Sequence, residues 1–286
     1  MSDFSDCYWH SRDGLKLHYR DYPGSAEHPP VLCLPGLTRN VRDFESLAPA
    51  LAGERRVLCI DNRGRGDSQY AKDSATYNPL QYSGDLTELL VHTGIERFVA
   101  IGTSLGGLMT MIVALTQPQR LAGVVFNDVG PEVDPAGIER IRGYVGQGRS
   151  FPTWMHAARA LEENAAAVFP DYEIADWLTM AKRCMTLGSN GRVVFDYDMK
   201  IAEPLAQPAG ADGGVDLWPA IAALADKPVL VVRGETSDIL AEATLARMLA
   251  VLPQGEAVTV PRVGHAPSLD EPEARAGIAR LLARVQ

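Results

Sequence analysis

Short, fully apolar runs alternate with amphipathic stretches through the first half of the chain. Val31-Leu32-Cys33-Leu34, Val57-Leu58-Cys59-Ile60 and Phe98-Val99-Ala100-Ile101 carry no charged side chain, the pattern of strands buried on both faces of a parallel sheet. Between them, Val41–Leu51, residues 79–92 and Leu105–Leu115 have helical spacing, with Asn78-Pro79 as cap and first turn of the middle segment. Ahead of these, Tyr8–Ser11 and Leu15–Tyr22 flank Asp13-Gly14, which predicts an antiparallel hairpin at a sheet edge. Gly123–Asn127 is a further strand. The alternation predicts a doubly wound sheet with right-handed crossovers.

From about Glu132 the rhythm changes. Residues 135–148, 153–169 and 173–187 read as three helices with no strand between them, Asn190–Asp198 as a short hairpin-like piece, and Pro204–Gly214 as a Pro/Gly-rich end. Sheet rhythm then resumes with Pro228–Val232, a helix at 241–252, the strand Ala257–Val260 and a terminal helix from about Glu271. The expected architecture is an α/β core of residues 1–130 and 215–286, with eight mostly parallel strands, and a helical insertion at 131–214 between strands six and seven.

Composition narrows the function. At 286 residues, 46% hydrophobic and 22% charged, the chain can bury a large core. Its net charge of −9 carries no basic cluster, which argues against a nucleic-acid partner. Cys7, Cys33, Cys59 and Cys184 lack metal-ligand spacing, and no phosphate loop or dinucleotide fingerprint is present, so neither a metal nor another cofactor is expected. The start, Met1-Ser2-Asp3-Phe4-Ser5-Asp6, is acidic and without an apolar run, and no segment is long enough to span a membrane. The expectation is a cytoplasmic protein with a small-molecule substrate; nothing in the pattern bears on oligomeric state.

Candidate chemistry centres on Gly102-Thr103-Ser104-Leu105-Gly106-Gly107, a G-x-S-x-G turn between a β-branched run and an uninterrupted helix. A turn this tight presses backbone on backbone, so the flanking positions tolerate almost no Cβ, and the serine hydroxyl projects into open space. At a helix N-terminus, unpaired N–H groups favour an adjacent oxyanion. A serine needs a base to take its proton, and that base needs an orienting group. His265, in Val263-Gly264-His265-Ala266-Pro267 after the last strand, meets the first need; the other five histidines sit in hairpin, helix or polar-loop contexts. Two acids meet the second. Asp238, after strand Val229–Val232, gives the order Ser, Asp, His with a Gly-bearing turn before it, and is favoured; Asp128, after Gly123–Asn127, is the alternative, and Glu235 ranks third. Oxyanion donors are expected from the amides of Leu105 and of Leu37 in Pro35-Gly36-Leu37. Thr38 and Arg39 continue that loop toward substrate. Tyr144, Phe151, Trp154, Met155 and Trp177 are the large insertion residues placed to line a mostly apolar pocket.

Taken together, the element order, the Ser104 turn, Pro35-Gly36-Leu37, Asp61-x-Arg63-Gly64-x-Gly66-x-Ser68, Gly234-x-x-Ser237-Asp238 and Gly264-His265 resemble the α/β-hydrolase superfamily over nearly the whole chain. The resemblance implies a Ser-Asp-His triad, an oxyanion hole at Leu37 and Leu105, and a helical cap between strands six and seven; the 61–68 motif is a structural turn near the active-site mouth. Ser104 differs from the Asp that dehalogenases and epoxide hydrolases carry at the elbow. Thr103 and Ala266 replace the Asn and Trp typical of carbon–carbon bond hydrolases. The expected activity is a serine hydrolase for a small or medium, largely apolar ester, thioester or lactone. A carbon–carbon bond hydrolase or lyase using the same triad, and a non-enzymatic ligand-binding member, are the competing readings.

Overall fold

The computed structural model describes residues 4–206 and 215–285. Its strands are β1 (Ser5–His10), β2 (Lys16–Tyr22), β3 (Val31–Leu34), β4 (Val57–Ile60), β5 (Phe98–Thr103), β6 (Leu121–Asn127), β7 (Ser150–Phe151), β8 (Met185–Leu187), β9 (Val193–Phe195), β10 (Val229–Gly234) and β11 (Gly255–Val260). The helices are α1 (Leu47–Leu51), α2 (Pro79–Thr93), α3 (Leu105–Thr116), α4 (Pro135–Tyr144), α5 (Trp154–Ala165), α6 (Ile174–Cys184), α7 (Ala202–Ala206), α8 (Trp218–Ala222), α9 (Glu242–Val251) and α10 (Pro272–Ala283). Eight strands form one sheet in the order β1-β2-β4-β3-β5-β6-β10-β11. β2 runs against both of its neighbours; the other pairings are parallel.

Alternation along the buried strands sorts side chains onto two faces. Leu32, Leu34, Phe98 and Ala100 join Leu86, Met109 and Met248 of α2, α3 and α9 on one side. Val31, Cys33, Val99 and Ile101 join Leu47, Ile278 and Leu281 of α1 and α10 on the other. Layers on both faces explain why these strands read as unbroken apolar runs.

Between β6 and α8 the described chain forms α4–α7 and a small antiparallel sheet in the order β7-β9-β8. This insertion has its own core. Trp177, Ala181 and Cys184 repeat along one face of α6 and pack with Ala157 and Ala158 of α5; small residues on α5 let the helices approach closely.

Several elements differ from the sequence expectation. The predicted helix 41–51 is a 3-10 turn, Val41–Phe44, followed by α1. The predicted helix 173–187 ends at Cys184, because Met185–Leu187 pairs with β9 as β8. α8 was not anticipated: its five residues are too few to show a helical period. Of the Pro/Gly-rich end, residues 207–214 lie outside the described residues, while Pro204 belongs to α7. Among the described residues no helix is long and apolar enough to cross a membrane.

The 61–68 motif braces the core. The buried Arg63 guanidinium binds Asp85 of α2 through two hydrogen bonds of 2.7 Å and reaches Asp13 in the β1–β2 turn at 2.9 Å. That bond with Arg63 holds the Asp13 carboxyl down at about 2. Asp61 accepts from the Val41 amide at 2.7 Å and shares a 2.7 Å contact with His18. Arg65 donates through Nε to the Leu37 carbonyl at 2.8 Å, so the motif holds the loop after β3 from behind.

Candidate active site

The loops after β3, β5, β6, β10 and β11 open on one edge of the sheet, beneath the insertion. β5 is central, and its exit is the Ser104 turn. Ser104 has φ 51° and ψ −111°, a strained conformation for a residue with a Cβ. Close packing enforces it. A Cβ on Gly102 would come within 2.6 Å of the Gly106 carbonyl, and one on Gly106 within 2.1 Å of the Leu34 carbonyl oxygen. Gly106→Ala is therefore expected to lower stability by about 2–3 kcal/mol. Thermal unfolding reads this as a Tm drop of roughly 5–10 °C.

Ser104 Oγ lies 3.0 Å from His265 Nε2, and His265 Nδ1 lies 2.8 Å from Asp128 Oδ2. The Asp128 side chain is fully buried. Its Oδ1 accepts from the Gly234 amide at 2.8 Å and its Oδ2 from Ser237 Oγ at 2.6 Å. A carboxylate so surrounded by donors is an acceptor only, so Nδ1 carries the imidazole proton and the Nε2 lone pair faces the serine hydroxyl. This arrangement can take a proton from Ser104 and stabilise the imidazolium that results.

The carboxylate on the imidazole is thus Asp128, not the favoured Asp238. Strand register is the reason. Asn127 stands opposite Thr103 across the β5–β6 pairing, so the next residue on each strand, Asp128 and Ser104, leaves the sheet side by side. Asp128 turns toward His265 through a left-handed backbone, φ 57°. Asp238 lies four residues beyond the end of β10 and pairs with Arg140 of α4, at 2.5 and 2.8 Å. That pairing holds the Asp238 carboxyl below its ordinary range. Glu235 is engaged elsewhere, accepting from the Arg262 amide at 2.6 Å.

The His265 loop is held from three directions. Thr236 N donates to Val263 O at 3.0 Å, Gly264 N to Val168 O of the insertion at 2.8 Å, and Asn127 Nδ2 to Pro267 O at 2.8 Å. On the opposite side of Ser104, a Cβ on Gly36 would stand 3.9 Å from Ser104 Cβ, which sets the Leu37 loop against the serine. The Leu37 and Leu105 amides find no acceptor among the described residues. Two free N–H groups beside a serine are what an oxyanion site requires.

A cavity of about 720 Å³ covers Ser104 and His265. Thr38, Arg39, Tyr144 and Phe151 line it, as the sequence suggested. Trp154 and Trp177 instead pack within the insertion's own core, Trp177 against Phe169 and Tyr172. The helical stripe that points Trp177 inward serves α5–α6 packing and not the cavity. Met155 is exposed on the outer surface. Sequence reasoning missed Ser237, Arg140 and the hold of Arg65 on Leu37. The Asx-like spacing of Ser237 before two apolar residues was the one local sign of the first, since its Oγ also accepts from the Ile239 and Leu240 amides.

His18, Asp61 and Asp67 bring metal-ligand atoms within 4.8 Å of one another. His18 and Asp61 are already engaged: Asp61 Oδ2 meets His18 Nδ1 and the Asp67 amide, and His18 Nε2 meets Asp6 Oδ1. The group works as a structural clamp under the 61–68 turn.

The sheet order, the strained serine turn and the inserted helical block define an α/β hydrolase. Residues 29–272 match the alpha/beta hydrolase fold family, and the chain belongs to it. It is 35% identical over 263 residues to a 3-hydroxybutyrate-oligomer hydrolase of Cupriavidus necator, covering 90% of this chain and 89% of that one. It is 26% identical over 239 residues to a 2-(acetamidomethylene)succinate hydrolase of Mesorhizobium japonicum, 83% of this chain and 81% of that one. A crystal structure of an alpha/beta hydrolase from Novosphingobium aromaticivorans shares 64% identity, with a TM-score of 0.95 over the full length of both chains.

Proposed function

We propose that the protein is a serine hydrolase of carboxylic esters, with short hydroxy-acid oligoesters as its leading substrate class. Ser104 attacks the ester carbonyl while His265 takes the hydroxyl proton through Nε2. Asp128 orients the imidazole and stabilises its charged form. The Leu37 and Leu105 amides bind the developing oxyanion, each worth roughly 10²–10³ in rate. His265 then protonates the departing alcohol, and a water activated by the same imidazole releases the acid from the acyl-enzyme. Residues 131–206 act as a cap that roofs the cavity and sheds water from the reacting atoms.

The observation that carries this reading is the chain of hydrogen bonds Ser104–His265–Asp128 at the floor of the cavity. The 35% identity to a hydrolase named for hydroxybutyrate oligomers supports the substrate class. A screen of 4-nitrophenyl esters of increasing chain length, lactones, 3-hydroxybutanoate oligomers and a vinylogous diketone tests it. Turnover is expected on short esters and oligomers, with a fluorophosphonate probe labelling Ser104. Consumption of the diketone with esters untouched would replace the ester reading by carbon–carbon cleavage.

A further inference from the structure

Among the described residues five arginines line the cavity, Arg39, Arg140, Arg149, Arg183 and Arg262, beside apolar residues such as Ile141, Phe151 and Phe195. Arg183 is taken up by Glu45 and Asp270, and Arg262 by Asp171. Arg39 comes from the loop that carries Leu37; Arg140 comes from α4 of the insertion. Each is gripped in the same way. Arg39 donates through Nε and Nη2 to Asp43, at 2.6–2.9 Å, and Arg140 through Nε and Nη2 to Asp238, at 2.5 and 2.8 Å. Arg39 Nη1 has no acceptor among the described residues, Arg140 also meets the Tyr144 hydroxyl, and the side chains keep 26% and 35% of their surface open.

Both lie close to the reacting groups. Arg39 Cγ and Ser104 Cβ each fall within 4 Å of the point where a Cβ on Gly36 would stand. Asp238, which holds Arg140, is near enough to His265 to feel its charge. Tyr144 lines the same cavity, and both guanidinium charges act on its phenol. The approach of α4 to the core depends on Gly137, whose Cβ would meet the Asp238 carbonyl at 2.3 Å, one helical turn before Arg140.

We propose that Arg39 and Arg140 form an anion subsite that takes a free carboxylate carried by the substrate, so that the enzyme selects carboxylate-terminated esters over neutral ones. The carboxylates of Asp43 and Asp238 fix the guanidinium planes, and both arginine side chains line the cavity. A guanidinium held this way loses little freedom when it binds, and its planar donor edge matches a carboxylate. A hydroxy-acid oligoester has one such free end, and the remainder of its chain suits the apolar wall. The inference rests on the serine-hydrolase reading above and adds to it the end of the substrate that is recognised.

The test compares the 3-hydroxybutanoate dimer with its methyl ester, which differ only in the free carboxylate. The wild-type protein is expected to favour the acid by about 10–100-fold in kcat/KM, the range for charge-assisted hydrogen bonds, chiefly through KM. Arg140→Gln is expected to bring that ratio toward one. The double variant Arg140→Gln with Asp238→Asn removes both charges; a ratio that stays near one identifies the lost anchor, and a restored preference shows that only a stranded Asp238 repelled the acid and overturns the proposal. A wild-type ratio near one also overturns it, while leaving the hydrolase reading intact. Calorimetry of glutarate binding to Ser104→Ala gives an answer without turnover. Binding that Arg140→Gln weakens at least tenfold supports the subsite even if every ester is left untouched, the outcome that would sink the hydrolase reading alone. No glutarate binding, together with equal turnover of acid and methyl ester, removes the subsite.

Discussion

Ser104→Ala is expected to lower kcat/KM on short esters by about 10⁶, to the level that binding and oxyanion donors alone sustain. Fluorophosphonate labelling should vanish with it. The fold is expected to persist, with stability within about 1 kcal/mol of wild type, because the strained backbone at this position is enforced by the packing of Gly102 and Gly106 and not by the hydroxyl. Steady-state kinetics with a thermal melt on the same sample checks both parts. Residual turnover within about 100-fold of wild type would show that Ser104 is not the nucleophile.

Asp128→Asn should cost about 10⁴ in kcat on a neutral ester. An amide in place of the carboxylate offers imidazole Nδ1 a donor as readily as an acceptor, which favours the tautomer whose Nε2 already carries a proton and cannot receive that of Ser104. It also gives up a charge that stabilises the imidazolium. Asp238→Asn is expected to cost less than about tenfold on the same substrate, because its carboxylate meets Arg140 and not His265. Measuring both variants side by side on 4-nitrophenyl butanoate decides between the acids. The reverse order of effects would mean that the loop after β10 swings Asp238 onto His265 in the reacting enzyme.

The two aspartates show where sequence reading stopped. Gly234-x-x-x-Asp238 has the local form of a turn after a strand, and nothing within five residues of it reveals that Arg140, about a hundred positions away, claims its carboxylate. Asp128 follows its strand directly, yet its claim depends on Asn127 standing opposite Thr103. Strand register is a relation between segments, and either segment alone is compatible with several registers. Trp154 and Trp177 illustrate the same limit on a helix: spacing identifies a buried face, but whether that face meets a neighbouring helix or a cavity depends on what stands opposite.

The order of the eight strands of the main sheet, the serine turn, the histidine loop and the Leu37 loop were written locally, while β7, β8 and α8 were not. Apolar runs, periodicity, glycines under steric pressure and strand-end loops each act over a few residues, so a single segment determines them. The acid on His265, the hold of Asp238 on Arg140 in the cavity and the brace from Arg65 to the Leu37 carbonyl were decided only by the tertiary structure. Each is a hydrogen bond between groups far apart in the chain, and such a bond forms within a tolerance of a few tenths of an ångström that no local pattern encodes.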